Sequence, residues 1–259
     1  MSHRRDALAQ AIPYLAVVKA PSLPTAGRVL GRQFSVATYN VHRWSGHNGT
    51  RAPDPARAGF VISEMDADII ALQEALRPFD ERDPLVDLAE QLQMHLAFVT
   101  TRVHRRGEVG NAILSRWPIT SLFTVDLTYT RVERRSAVAV QFASEVGPLS
   151  IVATHLSLVD RTRHRQVRSI LGHPQLQGAV ILLGDMNAWR RCKASRALEK
   201  ELVGEDRRWP RTFPAARPVL ALDRIYARGA EIEKLEAYAT AAAKRASDHL
   251  PVTAEIRIL

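Results

Sequence analysis

Short apolar runs separated by polar turns dominate the hydrophobic pattern of this 259-residue chain. Such runs, rich in β-branched residues, are typical of buried strands. They predict strands at 34–40, 68–74, 95–100, 111–115, 119–127, 136–142, 149–155, 179–184, 220–227, 232–237 and 251–258. Helices are predicted at 53–65, 84–94, 161–171 and 193–200. Many strands with few helices favour two packed sheets whose outer faces are covered by helices, an α/β sandwich.

Three polar motifs stand at the ends of apolar runs. Glu74 follows one run, Asp185 with Asn187 follows another, and Asp248-His249 comes just before the closing strand. Polar groups at strand ends lie where loops open, which is the usual location of a functional site. Carboxylate and amide oxygens are hard ligands suited to Mg²⁺ or Mn²⁺. The pattern therefore predicts metal-assisted hydrolysis of a phosphoester.

The residue types allow a role for each candidate beside a structural alternative. A carboxylate directly after a buried run, as at Glu74, has little structural purpose except as a helix or turn cap. Asp185 and Asn187 lie two apart, so on an extended segment both face the same side. One can orient or deprotonate water while the other donates to a phosphate oxygen; the alternative is an Asx turn.

Two histidines complete the candidate catalytic set. Asp223 lies within a strand pattern, where a buried carboxylate needs a partner. It can fix one nitrogen of the His249 imidazole and leave the other free to act. His155 ends a strand and can protonate a leaving oxygen or bind phosphate, although a histidine at a strand end is more often structural.

Composition limits the class of partner. Hydrophobic content of 46% with 24% charged residues is ordinary for a globular protein. The net charge of +9 favours polyanions, either nucleic acid or anionic phospholipid. Arginine clusters lie at 102–106, 131–135 and 161–168, and the last is expected to form a solvated helix face. No stretch approaches the roughly 20 apolar residues of a membrane span.

The chain is predicted to consist of an irregular basic arm over 1–32 and one catalytic domain over 33–259. The arm is a surface tether, an export segment or disordered chain. A single cysteine, Cys192, excludes an intramolecular disulfide and is compatible with a reducing compartment. A cytoplasmic monomer is expected, with peripheral membrane association as an alternative.

The ordered motifs resemble the endonuclease/exonuclease/phosphatase superfamily. They cover 34–258 and comprise Tyr39-Asn40-Val41-His42, Leu72-Gln73-Glu74, Gly110-Asn111-Ala112-Ile113-Leu114-Ser115, Thr154-His155-Leu156, Gly184-Asp185-Met186-Asn187, Leu222-Asp223-Arg224-Ile225 and Ser247-Asp248-His249-Leu250-Pro251. Any one motif is weak evidence, but the ordered set is specific. The resemblance implies a four-layered α/β sandwich with two central, mostly antiparallel sheets, and a divalent metal, usually Mg²⁺.

The resemblance also implies roles at the matching positions. Asn40, Glu74 and Asp248 would lie on the metal side. Asp185 and Asn187 would handle the nucleophilic water and the phosphate.

The remaining matched positions would serve the phosphate and the proton transfers. The catalytic pair would be Asp223 and His249, with His155 facing the same phosphate and paired with Glu108. Asn111 and Arg135 would contact the substrate phosphate; a surface arginine is the alternative for Arg135.

The substrate is less constrained than the reaction. His42 stands where abasic-site endonucleases of this superfamily usually carry an acidic residue or asparagine, and this weakens a DNA-repair function. A phosphodiesterase acting on a small molecule or phospholipid is favoured, with a DNA or RNA nuclease as the alternative. A binding scaffold without catalysis is a third hypothesis, disfavoured by the complete set of competent residues. Trp44 and Trp189 are expected to rim the pocket.

Overall fold

Two β-sheets form the centre of the computed structural model, which describes residues 16–24, 27–49, 52–79, 82–130, 133–202 and 208–259. The strands are β1 (Ala16–Lys19), β2 (Gln33–Asn40), β3 (Ile69–Pro78), β4 (His95–His104), β5 (Gly107–Ser115), β6 (Ser121–Asp126), β7 (Ser136–Ser144), β8 (Gly147–His155), β9 (Ala179–Asp185), β10 (Asp223–Arg228), β11 (Ala230–Ala237) and β12 (Val252–Ile258).

The helices are α1 (Pro55–Met65), α2 (Pro84–Gln91), α3 (Asp160–Leu171), α4 (Lys193–Leu202) and α5 (Ala243–Ala246), with a 3₁₀ turn at His42–Trp44. Local chemistry explains where the first two helices begin. The carboxylates of Asp54 and Asp83 accept from backbone N–H groups of the first turn, and a proline follows each cap.

The strand order is β1-β4-β5-β3-β2-β12-β11 in one sheet and β10-β9-β8-β7-β6 in the other. Two neighbouring pairs are parallel, β2 with β3 and β8 with β9, and the other pairs are antiparallel. Each parallel pair is joined through a helix, so the fold contains the βαβ units β2-α1-β3 and β8-α3-β9. The predicted mostly antiparallel pairing is confirmed.

The core has three layers that alternate with the sheets. Side chains such as Val36, Ile113 and Ile181 fill the space between the sheets. A second layer packs helices α1 and α2 on the seven-stranded sheet. A third packs α3 and α4 on the five-stranded sheet. The predicted four-layered α/β sandwich is confirmed, and the polar ends of its strands are left to form a site.

Several boundaries differ from the sequence predictions. In the arm expected to be irregular, Ala16–Lys19 forms an edge strand on β4, and Leu30 is fully buried with its N–H bonded to Ala143 O. The first fifteen residues of that arm lie outside the described residues. Short α5 was not predicted, because one helical turn gives no periodic signal. None of the helices in the described part of the chain has the length and apolarity to cross a bilayer.

Candidate active site

The carboxyl ends of the two βαβ units face each other and bring four polar side chains together. Asn40 ends β2, Glu74 lies in β3, His155 ends β8 and Asp185 ends β9. In the parallel pairs, Asn40 lies beside Gln73 and His155 beside Asp185. This end of parallel strands is where α/β proteins commonly place ligands.

Asp185 is the centre of the cluster. Its Oδ2 accepts from Asn40 Nδ2 at 3.1 Å and lies 3.3 Å from His155 Nε2 and 3.7 Å from His249 Nε2. The orientation of the Asn40 amide is fixed, because Asn40 Oδ1 accepts the backbone N–H of His42 at 3.1 Å. Asp185 Oδ1 accepts from the backbone N–H of Asn187 at 2.9 Å. Both oxygens of this buried carboxylate are therefore held.

Gly184 allows Asp185 to reach this position. Its φ is +148°, and a Cβ there would lie 1.9 Å from the carbonyl oxygen of Thr154 on β8. Only glycine permits this approach of the two strands. The glycine of the Gly-Asp-x-Asn motif thus positions the carboxylate beside His155.

His249 is held by a second buried carboxylate, as the sequence predicted. Its Nδ1 donates to Asp223 Oδ2 at 2.8 Å, and Thr212 Oγ1 donates to the same oxygen at 2.5 Å. The ring of Phe213 packs on the imidazole with a centroid distance of 4.9 Å. These contacts fix the ring and turn Nε2 towards Asp185.

Glu74 has a buried side-chain oxygen without a hydrogen bond, as does Asp223 at its Oδ1. It lies in the left-handed region at φ +52°, at the irregularity where the pairing of β3 with β5 shifts register. Its Oε2 is buried and makes no hydrogen bond, although Arg43 Nε is 3.3 Å away. Its Oε1 lies 3.9 Å from His155 Nδ1. A buried, unsatisfied carboxylate oxygen is costly unless a cation binds it.

Asp248 stands on the loop between α5 and β12. Its Oδ1 accepts from Ser247 Oγ at 3.3 Å and lies 3.3 Å from His42 Nδ1. Ser247 Oγ also donates to the backbone oxygen of Asn40 at 2.6 Å. This bond ties the loop that carries Asp248 and His249 to the end of β2.

Two sets of residues have the chemistry of a divalent-metal site. One is the predicted set of Asn40, Glu74 and Asp248, which offers oxygen donors and includes the unsatisfied Glu74 Oε2. The other is Asp185, Asp223 and His249, whose donor atoms lie within 4.8 Å of one another. In the second set His249 bonds Asp223 Oδ2 and lies near Asp185 Oδ2, while Asp223 Oδ1 is buried without a hydrogen bond. The assignment of Mg²⁺ to Asn40, Glu74 and Asp248 stays a prediction.

Comparison with known proteins identifies the fold and family. Residues 37–249 match the Endonuclease/Exonuclease/phosphatase family. The chain belongs to this family. Its members are hydrolases of phosphoester bonds, among them nucleases and phosphatases, and they typically use a divalent metal.

Individual relatives agree with the family assignment. The uncharacterized protein YbhP of Escherichia coli (strain K12) is 28% identical over 253 residues, which cover 87% of this chain and 96% of the relative. A family structure from Beutenbergia cavernae DSM 12333 matches with a TM-score of 0.70 and 23% identity, covering 88% and 72% of the two chains. One from Bacteroides vulgatus matches with a TM-score of 0.71 and 18% identity, covering 88% and 99%.

Burial and neighbouring charges shift the pKa values of the side chains at the centre of the site. Burial would lower the pKa of His249, but Asp223 and Asp185 outweigh it and raise the pKa to about 10. Burial raises the pKa of Asp185 to about 6, against the opposing effect of His249. The pKa of His155 is well below its ordinary value because of burial and then Arg135. At neutral pH the imidazole of His249 is therefore charged and that of His155 is neutral.

Three of the predicted site residues make hydrogen bonds or an ion pair with other parts of the protein. Asn187, at φ +50°, donates through Nδ2 to Leu156 O at 2.9 Å. Asn111 donates through Nδ2 to the backbone oxygen of Ser136 at 2.8 Å, bridging the two sheets. Arg135 pairs with Glu133 through Nε at 3.1 Å and Nη2 at 2.7 Å. Their predicted contacts with substrate remain predictions.

Two sequence expectations are wrong. Glu108 does not pair with His155; it accepts from Arg77 at 3.1 Å, because β5 places it opposite that residue on β3. Trp44 does not rim the pocket; it is buried in the helix-side core, and its Nε1 donates to Leu76 O at 2.8 Å. Trp189 is half exposed beside Arg163, and its place at the rim stays a prediction.

Sequence reasoning missed three residues that support the site. Arg43 faces Glu74, and Thr212 bonds Asp223. Arg163, expected on a solvated helix face, is 1% exposed. Its Nη1 donates to Ser157 O at 2.6 Å and to Asn187 O at 2.8 Å, so α3 holds the loops that follow β8 and β9. The only signal was its spacing, four residues before Val167 and seven before Ile170, which places it on the apolar face of the helix.

Proposed function

We propose that this protein is a divalent-metal-dependent phosphodiesterase that hydrolyses a small-molecule or phospholipid phosphodiester. The observation that carries the proposal is the convergence on Asp185 of Asn40, His155 and His249, beside the unsatisfied Glu74 carboxylate. Family membership supports the reaction class. A scaffold without catalysis would have no need to keep this buried set of opposed charges.

The metal would be held by Asn40, Glu74 and Asp248. Mg²⁺ is the ion we favour, with Mn²⁺ as the alternative, because the donors are oxygens. When bound, the ion would supply a positive charge that offsets the negative charge of the phosphate.

The remaining side chains would handle water, protons and phosphate. Asp185 accepts a proton from the attacking water, whose oxygen bonds to phosphorus as the ester bond breaks. Asp223 orients His249, which donates from Nε2 to the phosphate. His155 donates a hydrogen bond to a phosphate oxygen, and the leaving oxygen takes up a proton from solvent water and departs as an alcohol. Asn187 orients the water.

Two further residues would contact the substrate at the edge of the site. Arg135, just before β7, and Asn111, in the middle of β5, would contact the phosphate. The salt bridge to Glu133 supports this role for Arg135 by limiting its side-chain freedom.

A panel of substrates with EDTA and metal add-back tests the proposal. Bis-p-nitrophenyl phosphate, a phosphomonoester and a glycerophosphodiester are assayed with Mg²⁺, Mn²⁺ and EDTA. We expect hydrolysis of the diesters with metal and none with EDTA. Absence of metal-dependent hydrolysis of every phosphoester in a folded preparation would refute the enzyme assignment.

A nuclease is the second candidate, because Arg43 and Arg102 lie near Glu74, Arg135 lies within electrostatic range of Arg102, and the net charge is +9. Nuclease binding to DNA should weaken steeply with salt, because phosphate contacts release counterions. Incision of plain or abasic duplex DNA with Mg²⁺, at a rate above that on the glycerophosphodiester, would favour it over our first choice.

We also propose that the protein acts as a cytoplasmic monomer. The one cysteine, Cys192, is buried and free, which is compatible with a reducing compartment. Sedimentation equilibrium would test the monomer, and fractionation of cells the location.

A further inference from the structure

A small cavity lies beside the site, between the 3₁₀ turn and the hairpin that joins β4 to β5. It has a volume of about 110 Å³ and is lined by the side chains of Arg43, Ser45, His104, Arg105 and Arg106. We call it the arginine cavity. None of the described residues that line it is acidic.

The arginine cavity adjoins the proposed metal side through Arg43. Arg43 Nε lies 3.3 Å from Glu74 Oε2, yet it is buried and makes no hydrogen bond. One residue therefore faces both Glu74 and the cavity. A group bound in the cavity would lie one side chain away from Glu74.

The backbone that presents Arg43 is strained and fixed. His42, Arg43 and Trp44 all have positive φ, at 47°, 54° and 63°. Three such residues in succession persist only where the surroundings over-determine them. The indole of Trp44 is buried, and Trp44 O accepts the N–H of Asp54 at 2.9 Å. Strain of this kind is concentrated at ligand sites.

Positive charges converge on the arginine cavity. The pKa of His104 is lowered, first by partial burial and then by Arg43, Arg102, Arg105 and Arg106. These cations therefore lie within electrostatic range of one another. A bound anion would be attracted by all of these cations.

We propose that the arginine cavity binds a second phosphoryl group of the substrate, next to the phosphodiester that is cut. The proposal rests on the proposed function and narrows its substrate class. The volume equals the liquid share of about four water molecules, at about 30 Å³ each. It can hold a single tetrahedral anion. The second phosphate belongs either to a phosphorylated polyol headgroup or to the next nucleotide of a strand.

Two pairs of substrates test the proposal and separate these sources. One pair is a bis-glyceryl phosphodiester with and without a terminal phosphomonoester. The other is a dinucleoside monophosphate with and without a 5′-phosphate. In the wild type we expect the added phosphate to lower KM at least tenfold in one pair, which is about 1.4 kcal/mol. The pair that responds names the source, and a response in neither pair overturns the proposal.

A double variant assigns the effect to the cavity. In Arg105→Gln/Arg106→Gln the KM ratio within the responding pair should fall towards one. The matched control is Arg161→Gln/Arg165→Gln, which removes the same charge from exposed positions of α3. The control should keep the wild-type ratio, and an equal fall in both variants would assign the effect to bulk charge and refute the cavity.

Binding without turnover keeps the proposal separate from the proposed function. Inorganic phosphate is titrated calorimetrically into wild type, cavity variant and control in EDTA. We expect the cavity variant to bind at least tenfold more weakly than the other two. Equal binding by all three proteins, or by none, would refute the anion site even if the enzyme is active. Failure of all hydrolysis with cavity-dependent binding would instead refute only the proposed function.

Discussion

The two βαβ units meet at the site but satisfy their polar side chains differently. In β8-α3-β9 both oxygens of Asp185 are held by neighbouring groups, and Arg163 of the unit's own helix ties its two loops together. In β2-α1-β3 the Glu74 backbone is strained and its Oε2 makes no hydrogen bond. We call β8-α3-β9 the complete unit, because its Asp185 carboxylate is fully hydrogen-bonded, and β2-α1-β3 the open unit, because its Glu74 carboxylate is not.

This difference suggests a division of labour. Groups that hydrogen bonds already hold in place need little reorganisation when a proton moves. The unit β8-α3-β9 is therefore suited to handling water and protons. An unsatisfied carboxylate in a strained position stores unfavourable energy that a ligand can relieve. We therefore expect a bound metal to stabilise β2-α1-β3 and to leave the stability of β8-α3-β9 unchanged.

The largest effect is expected from Asp185→Asn in the complete unit. Removing the proposed acceptor of the proton should lower kcat on the best diester about 10³-fold, since proton transfer by a positioned group contributes roughly 10² to 10⁴. Steady-state kinetics with saturating Mg²⁺ measure it. Asp126→Asn, at an exposed position of β6, is the matched control and should retain activity. A loss below tenfold in a folded variant would remove Asp185 from the mechanism.

Glu74→Gln should have the second largest effect and should change the response to metal. Wild type is expected to gain about 2.7 kcal/mol of stability at a metal concentration 100 times Kd, because the ion binds only the folded state. The variant should lose this gain and about 10² in kcat at the same metal concentration. Thermal unfolding with EDTA and with Mg²⁺ measures the shift. An unchanged shift in Glu74→Gln would move the metal to Asp185, Asp223 and His249.

The sequence predicted the complete unit better than the open one. His155, Asp185 and the Asp223–His249 pair come together as expected. The first three end or begin strands whose apolar runs are plain in the sequence, and His249 lies shortly before the closing strand β12. Arg43 was missed, since nothing in residue order shows that three successive residues adopt positive φ.

The sequence also could not predict which residues lie opposite each other on neighbouring strands. Glu108 was assigned to His155 because strand register, which places it opposite Arg77, cannot be obtained from the apolar pattern. The prediction for Trp44 was wrong for a related reason. Its closeness to Asn40 in the sequence does not show whether the side chain of a turn residue packs into the core or faces the site.

Arg163→Met tests whether α3 holds the complete unit in place. Loss of the guanidinium leaves the backbone oxygens of Ser157 and Asn187 buried without donors, at about 1 to 3 kcal/mol each. We expect unfolding to become easier by about 3 kcal/mol, with a smaller loss of kcat, measured by urea denaturation. Arg165→Met on the exposed face of the same helix should change stability by less than about 0.5 kcal/mol. Equal effects at both positions would mean that the buried contacts contribute nothing specific.

Thr212→Val should give the smallest effect and addresses how tightly Asp223 must be held. The near-isosteric change removes one of two donors to Asp223 Oδ2 and keeps the bond from His249. A buried hydrogen bond to a charged group contributes about 1.5 to 3 kcal/mol, and part of this is regained because no polar atom of residue 212 is left buried. We expect unfolding to become easier by about 1 kcal/mol.

The kinetic consequence separates orientation from stability at the same position. If Asp223 acts by orienting His249, Thr212→Val should lower kcat by no more than about threefold and leave KM unchanged. The reason is that Asp223 keeps its hydrogen bond to the imidazole and loses only the bond from the threonine hydroxyl. Thr120→Val, whose hydroxyl bonds Gln141 O at an exposed position, is the matched control for loss of a threonine hydroxyl. A fall in kcat as large as that of Asp185→Asn would show that Thr212 belongs to the proton path itself, and the complete unit would then extend beyond β8-α3-β9 into the segment before β10.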